Sequence, residues 1–139
     1  MNGIVLLIAG HETTANMISL STLALLRDPE VLTRLRDAED PAVIANAVEE
    51  LLRYLTIVQD MIVRVALEDL TVGGQLIRAG EQVVMNLSAG NRDAAYFTDP
   101  DRLDLARNAR GHLAFGYVFA PASVVERFSS EAQPQSRAR

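Results

Sequence analysis

The strongest constraint on the fold is an apolar stretch near the start of the chain, which predicts one long helix from Gly3 to Leu26. Apolar side chains occupy nearly every angle around it: Ile4, Leu6, Leu7, Ile8, Met17, Ile18, Leu20, Leu23, Leu25 and Leu26. A helix that is apolar on all sides is one that other elements bury. The unbroken run Ile4–Ala9 is shorter than the ~20 apolar residues of a membrane-spanning helix, and no basic residue precedes it. We therefore expect no signal peptide, no membrane segment and a cytoplasmic location.

Two start signals predict further helices. Asp28-Pro29 and Asp40-Pro41 each combine an acidic N-cap with a proline at the first helical position. The helix after Asp40 has apolar residues on one face at the 3.6-residue period: Ile44, Ala47, Val48, Leu51 and Leu55.

Residues 61–87 have the composition of strands and turns. Met61–Ala66 is rich in β-branched residues, and Gly73-Gly74 suits a type I′ turn between two short strands. Gln82–Leu87 is a candidate third strand, and the chain from about residue 88 reads as loops. We predict a mainly α fold with a small β-sheet, that is, an α+β fold.

Composition narrows the possible functions. The chain has no cysteine, which excludes disulfides, a thiol nucleophile and thiolate metal ligands within these 139 residues. Its basic residues are all arginine, 13 against 18 acidic residues, for a net charge of -5. That balance argues against non-specific nucleic-acid binding, which requires a basic face.

Ala9-Gly10-His11-Glu12-Thr13-Thr14 places polar residues inside the apolar helix. The small residues would let a flat group approach the backbone, and the Thr13 hydroxyl can bond back to the carbonyl of Ala9. An acid beside threonine could relay protons. The alternative is a bent helix whose polar groups are satisfied by neighbouring chain.

Four other residues carry polar groups whose role depends on their surroundings. Glu50 and Arg53 are three residues apart on one helix face and can pair, which in an exposed helix is worth a few tenths of a kcal/mol. Arg64 lies inside an apolar strand segment, and His112 precedes Leu113-Ala114-Phe115-Gly116. Alone, each is typical of a solvent-facing or loop residue.

In this order and spacing, the segments resemble the cytochrome P-450 heme-thiolate monooxygenases, over about residues 4–117. Ala9–Thr14 is similar to the oxygen-binding helix motif, Glu50–Arg53 to the family's ExxR, and Gly111–Gly116 to the opening of the heme-binding loop. Other segments also match soluble bacterial members: Arg64–Asp69, the glycine hairpin, Asn91-Arg92-Asp93 and Phe97–Asp104. The resemblance implies a partial cytochrome P-450 fold, from the oxygen-binding helix to the start of the heme-binding loop.

The resemblance also implies roles for individual residues. Glu12 and Thr13 would be catalytic, Thr13 positioning oxygen and water and Glu12 supplying protons. Heme would contact five residues: Ala9 and Gly10 beside it, Arg64 and His112 at its propionates, and Phe115 on the proximal side. Glu50 and Arg53 would hold the fold around the proximal loop. The family's reaction uses a small organic substrate and electrons from a ferredoxin-type redox partner.

The chain departs from the family pattern after Tyr117. The second glycine, the histidine and the cysteine of that pattern fall on Val118, Ala120 and Ala122. Three losses in a row suggest a changed reading frame or a fusion point. We predict a partial family domain over residues 1–117 and a disordered, non-family tail over residues 118–139.

Three interpretations follow. The first is a monooxygenase fragment that is inactive on its own because position 122 supplies no thiolate to the iron. The second is a pseudoenzyme or truncated product that acts, if at all, through a partner protein; the third is a helical interaction module with an accidental motif match. Because several helices of the family would precede Met1, we also expect the first helix to be uncovered, and hence aggregation or a covering protein partner.

Overall fold

The computed structural model describes residues 2–59 and 62–116. It opens with three helices: α1 (Asn2–Arg27), α2 (Pro29–Arg36) and α3 (Pro41–Leu55). The predicted caps are present, since Asp28 accepts a hydrogen bond from the backbone N–H of Val31 at 3.1 Å and Asp40 accepts one from Ala42 at 2.8 Å. The two caps, each followed by proline, start α2 and α3 where the sequence predicts them.

The first half of α1 extends away from the rest of the described chain. Residues 3–12 are all exposed, with Leu6 at 73% and Leu7 at 69% of full exposure, whereas Ala24 and Leu25 near the other end are partly covered. Helix α1 packs against α2 and α3. None of the helices in residues 2–59 and 62–116 has the length and apolar character needed to cross a membrane.

The strands form two separate antiparallel pairs. β2 (Leu70–Val72) and β3 (Gln75–Ile77) form the predicted hairpin, and its glycines have φ of 56° and 80°, as a type I′ turn requires. β1 (Ile62–Val65) pairs with β4 (Gln82–Met85), with Arg64 opposite Val83. In the sequence, the hairpin is thus inserted between β1 and β4, the two strands of the other sheet.

The prediction of a strand through Leu87 is wrong at its end. Asn86 instead caps a short helix, α4 (Leu87–Asn91), by accepting a hydrogen bond from the Ala89 N–H at 2.9 Å. The chain from residue 88 is therefore not loop throughout, although turns dominate from Arg92 to Gly116.

The core lies where α3 meets α4 and the turns that follow it. Its buried apolar members on that side are Ala47, Leu51, Leu87, Phe97 and Ala109. Of the predicted apolar stripe on α3, Ile44 and Val48 are about half exposed, because the turns cover the neighbouring face that carries Glu50 and Arg53. The predicted tail, with Val118, Ala120 and Ala122, lies outside the described residues.

Candidate functional site

A fully buried ion pair is the centre of the best-connected site. Glu50 and Arg53 lie one turn apart on α3, and both are completely shielded from solvent. The guanidinium donates from Nε to Oε2 at 2.7 Å and from Nη2 to Oε1 at 2.9 Å. This two-pronged geometry is the strong form of an arginine–carboxylate pair. The alternative of an exposed helix pair is therefore wrong.

The remaining donors of Arg53 fix the backbone downstream. Its Nη1 donates to the carbonyls of Asn91 at 2.7 Å and Pro100 at 2.8 Å, and Nη2 reaches the carbonyl of Arg102 at 3.2 Å. The ring of Phe97 lies 5.1 Å from the guanidinium carbon, within the range of a cation–π contact. One side chain of α3 thus holds both the end of α4 and the turn at residues 100–102 in place.

Glu50 has a second set of partners on the same turns. Its Oε1 accepts from the backbone N–H of Asp104 at 3.0 Å and from Nε of Arg107 at 3.2 Å. Arg107 also donates to the carbonyls of Thr98, Asp99 and Arg102. Two guanidiniums therefore share one carboxylate, and backbone carbonyls accept their other protons. No buried side-chain polar atom in the described residues lacks a hydrogen-bond partner.

Asn91 connects this ion cluster to the segment around His112. The fully buried amide donates from Nδ2 to the hydroxyl of Thr56 at 2.8 Å and accepts from the Leu113 N–H at 2.6 Å. Thr56 caps α3 in the left-handed conformation, with φ of 40°, and donates to the carbonyl of Arg53 at 2.7 Å. The end of α3, the end of α4 and residue 113 therefore meet at one side chain.

His112 lies against α3, and both of its ring nitrogens have partners. Nε2 is 3.0 Å from a carboxylate oxygen of Glu49, and Nδ1 accepts from the backbone N–H of Ala114 at 3.1 Å. Because Nδ1 is an acceptor, the proton lies on Nε2 and is donated to Glu49. The Phe115 ring, largely exposed, is centred 5.8 Å from the imidazole.

The other predicted site residues lie elsewhere. In the α1 motif, the Thr13 hydroxyl donates to the carbonyl of Ala9 at 2.7 Å, while Ala9, Gly10 and Glu12 are exposed. Arg64 is exposed on β1 and donates to the carbonyl of Val63. Within the described chain, neither the α1 motif nor Arg64 is hydrogen-bonded to the cluster around Glu50. Their catalytic and heme-contact roles stay predictions.

Sequence reasoning missed Arg107 entirely and gave Asn91 no role of its own. Arg107 is 57 residues from Glu50, and no local spacing signals such a pair. A signal for Asn91 did exist: it lies inside the segment Asn91-Arg92-Asp93 that carried the resemblance. Its three-way contact could be seen only once α3 and the turns were placed in space.

Ligands for a metal are scarce. No group of three or more His, Cys, Asp or Glu side chains with metal-binding geometry occurs in residues 2–59 and 62–116. Both nitrogens of His112 are engaged, and the other histidine, His11, lies exposed on α1. The described cluster can hold backbone and orient loops, and it presents no open nucleophile.

Comparison with known proteins gives consistent results. The family model for cytochrome P-450 matches residues 1–112. Cytochrome P-450 GfsF of Streptomyces halstedii is 61% identical over 117 residues, which is 83% of this chain and 28% of that protein. Pentalenic acid synthase of Streptomyces avermitilis is 59% identical over 112 residues. The chain therefore spans between a quarter and a third of the length of these curated relatives.

Solved structures show the same likeness. The crystal structure of GfsF superposes with a TM-score of 0.80 at 62% identity, covering 83% of this chain and 30% of that one. The structure of the cytochrome P-450 BioI, in complex with an acyl carrier protein carrying hexadec-9Z-enoic acid, matches with a TM-score of 0.74 at 52% identity; 82% of this chain and 29% of that one are covered.

Proposed function

Because this chain belongs to the cytochrome P-450 family, we propose that its residues supply a structural core of that fold and form no thiolate-ligated heme centre on their own. The observation that carries the first half is the buried Glu50–Arg53 pair, whose donors and acceptors hold the turns from residue 91 to 107. A buried ion pair whose donors and acceptors are all hydrogen-bonded fits a role in fixing one arrangement of the loops, rather than a role in catalysis.

The second half rests on the donor chemistry. The family's heme iron takes its axial ligand from a cysteine thiolate, and these 139 residues contain no cysteine; position 122 is alanine. Alanine has no lone pair for a metal. The imidazole of His112 is occupied by Glu49 and by the Ala114 N–H. The residues present therefore do not fit a heme-thiolate centre.

The spectroscopic test is direct. The chain is reconstituted with hemin, reduced and exposed to carbon monoxide, and GfsF is treated identically as a full-length cytochrome P-450 control. We expect GfsF to give the strongly red-shifted Soret band of thiolate ligation and this chain to give none, because no sulfur ligand is available. The same red-shifted band from this chain would overturn the proposal.

For a protein that combines these residues with the rest of the fold, we propose the family reaction: heme- and oxygen-dependent oxidation of a small organic substrate. The supporting observation is the motif on α1, with Thr13 bonded to Ala9 inside the helix. Glu12 and Thr13 would then be the catalytic residues, and a ferredoxin-type protein would supply electrons. A cytoplasmic location belongs to the same proposal. The competing proposal is a pseudoenzyme that acts through a partner protein.

We further propose that α1 needs another chain to cover it. Ile4, Leu6 and Ile8 are each about two thirds or more exposed, and a soluble monomer rarely tolerates an apolar patch of this kind. On size-exclusion chromatography with light scattering we expect oligomers or aggregates. The double substitution Leu6→Glu and Ile8→Glu should raise the monomer fraction, whereas Leu67→Glu, at an isolated apolar residue that is 94% exposed, should not. A monodisperse unmodified monomer would contradict this.

A further inference from the structure

A groove beside the first turns of α3 has no role in the proposals above. It lies between α2, the start of α3 and residues 102–106, and its volume is about 580 Å³, within the range of small-molecule sites. Most of its lining is aliphatic, and the larger members are Val31, Leu35, Val43, Leu103 and Leu105.

Two polar side chains in the lining are already hydrogen-bonded to backbone atoms. The amide of Asn46 donates from Nδ2 to the carbonyls of Leu105 and Arg107, both at 2.8 Å. The carboxylate of Asp104 accepts from the backbone N–H of Ala106 at 3.0 Å. These bonds hold residues 104–107 in a fixed shape beside α3. One wall of the groove is therefore formed without a ligand.

Two guanidiniums in the lining have no hydrogen-bond or ion-pair partner in the part of the chain that the structure describes. Arg34, in the last turn of α2, and Arg102, on the facing turn, make no side-chain hydrogen bond or ion pair within residues 2–59 and 62–116. By contrast, Arg36 pairs with Asp37 and Arg92 pairs with Asp101, each at 2.9 Å. Two arginines against Asp104 leave the groove with net positive charge in a chain of net charge -5.

We propose that this groove binds a small amphipathic carboxylate, with its hydrocarbon part on the aliphatic walls and its carboxylate on Arg34 and Arg102. Guanidinium donors match the geometry of a carboxylate, and such charge-assisted hydrogen bonds are stronger than neutral ones. The aliphatic lining accounts for the apolar part, which an inorganic anion would lack. This site goes beyond the proposed function and does not depend on heme.

The test uses octanoate as the probe and calorimetric titration of the full chain. We expect saturable binding of octanoate and at least about ten-fold weaker binding of octan-1-ol, which has the same chain length and no charge. Arg34→Gln and Arg102→Gln should each weaken octanoate binding by about ten-fold. Arg36→Gln removes a positive charge from the same helix but outside the groove, and it should leave the affinity unchanged.

A second variant separates the groove from the apolar surface of α1, which could itself take up a fatty chain. Leu6→Glu should leave octanoate binding intact if the site is the groove. Loss of binding in Leu6→Glu, equal binding of octanol, or unchanged affinity in both Arg34→Gln and Arg102→Gln would each overturn the proposal.

Discussion

Replacing Arg53 by alanine is expected to abolish the cooperative unfolding transition of the described core. The substitution leaves the fully buried Glu50 carboxylate with Arg107 as its one remaining side-chain partner in the described residues, and it removes one donor from each of three backbone carbonyls. Removing one partner of a buried ion pair costs about 3–5 kcal/mol. That loss is comparable with the whole stability of a small domain, about 5–15 kcal/mol.

Urea denaturation followed by circular dichroism measures this effect, preferably in the background of the α1 surface substitutions that favour the monomer. Arg36→Ala is the matched control, because it breaks an exposed pair that is worth about 0–1 kcal/mol. Arg53→Lys should fall between the two, since an ammonium keeps the charge but cannot donate in the two-pronged geometry. An Arg53→Ala chain as stable as Arg36→Ala would show that the pair does not hold the core.

Replacing Asn91 by leucine should loosen the segment after residue 111 more than any other part of the chain. Leucine has a similar size but no polar atoms, so the Leu113 N–H loses its acceptor and the Thr56 hydroxyl loses a donor. Each buried polar group left without a partner costs about 1–3 kcal/mol. Backbone hydrogen exchange is the measurement. Relative to the unmodified chain, we expect the exchange rate to increase more at residues 112–116 than in α2.

Asn108→Leu is the control for that experiment, because Asn108 is exposed and accepts one local hydrogen bond from the Arg110 N–H at 3.3 Å. It should change exchange at its own turn and not at Leu113. Equal protection of residues 112–116 in the Asn91→Leu chain and the unmodified chain would mean that the amide does not connect α3 to this segment.

Local signals in the sequence predicted the helices and the hairpin well, because the forces that set them are local. Asp28 and Asp40 cap the helices that they were expected to cap, and the two glycines at 73 and 74 have the positive φ that the turn requires. Asn86 shows the limit of this approach. Its segment continues an apolar strand, but its side chain caps a new helix instead.

Contacts between distant parts of the chain could not be read from spacing. The pairing of β1 with β4 spans the inserted hairpin, and the contacts of Glu50 with Arg107 and of Glu49 with His112 join residues 57 and 63 positions apart. Periodicity also misjudged α3, because the turns after α4 cover its polar face. Glu50 and Arg53 are buried by residues between 91 and 107, and a helical wheel of α3 does not include those residues.

The ion pair on α3 has a consequence for the order in which the chain folds. Glu50 and Arg53 are neighbours on one helix and can meet as soon as α3 forms, whereas the other partners of Arg53 lie 38 to 49 residues further along. While those turns are absent, the pair is hydrated, and closing loops of that length costs chain entropy before any contact compensates for it. During synthesis, α3 therefore leaves the ribosome well before the turns that cover Glu50 and Arg53 have been made. We infer that this ion pair is among the last parts of the fold to be desolvated.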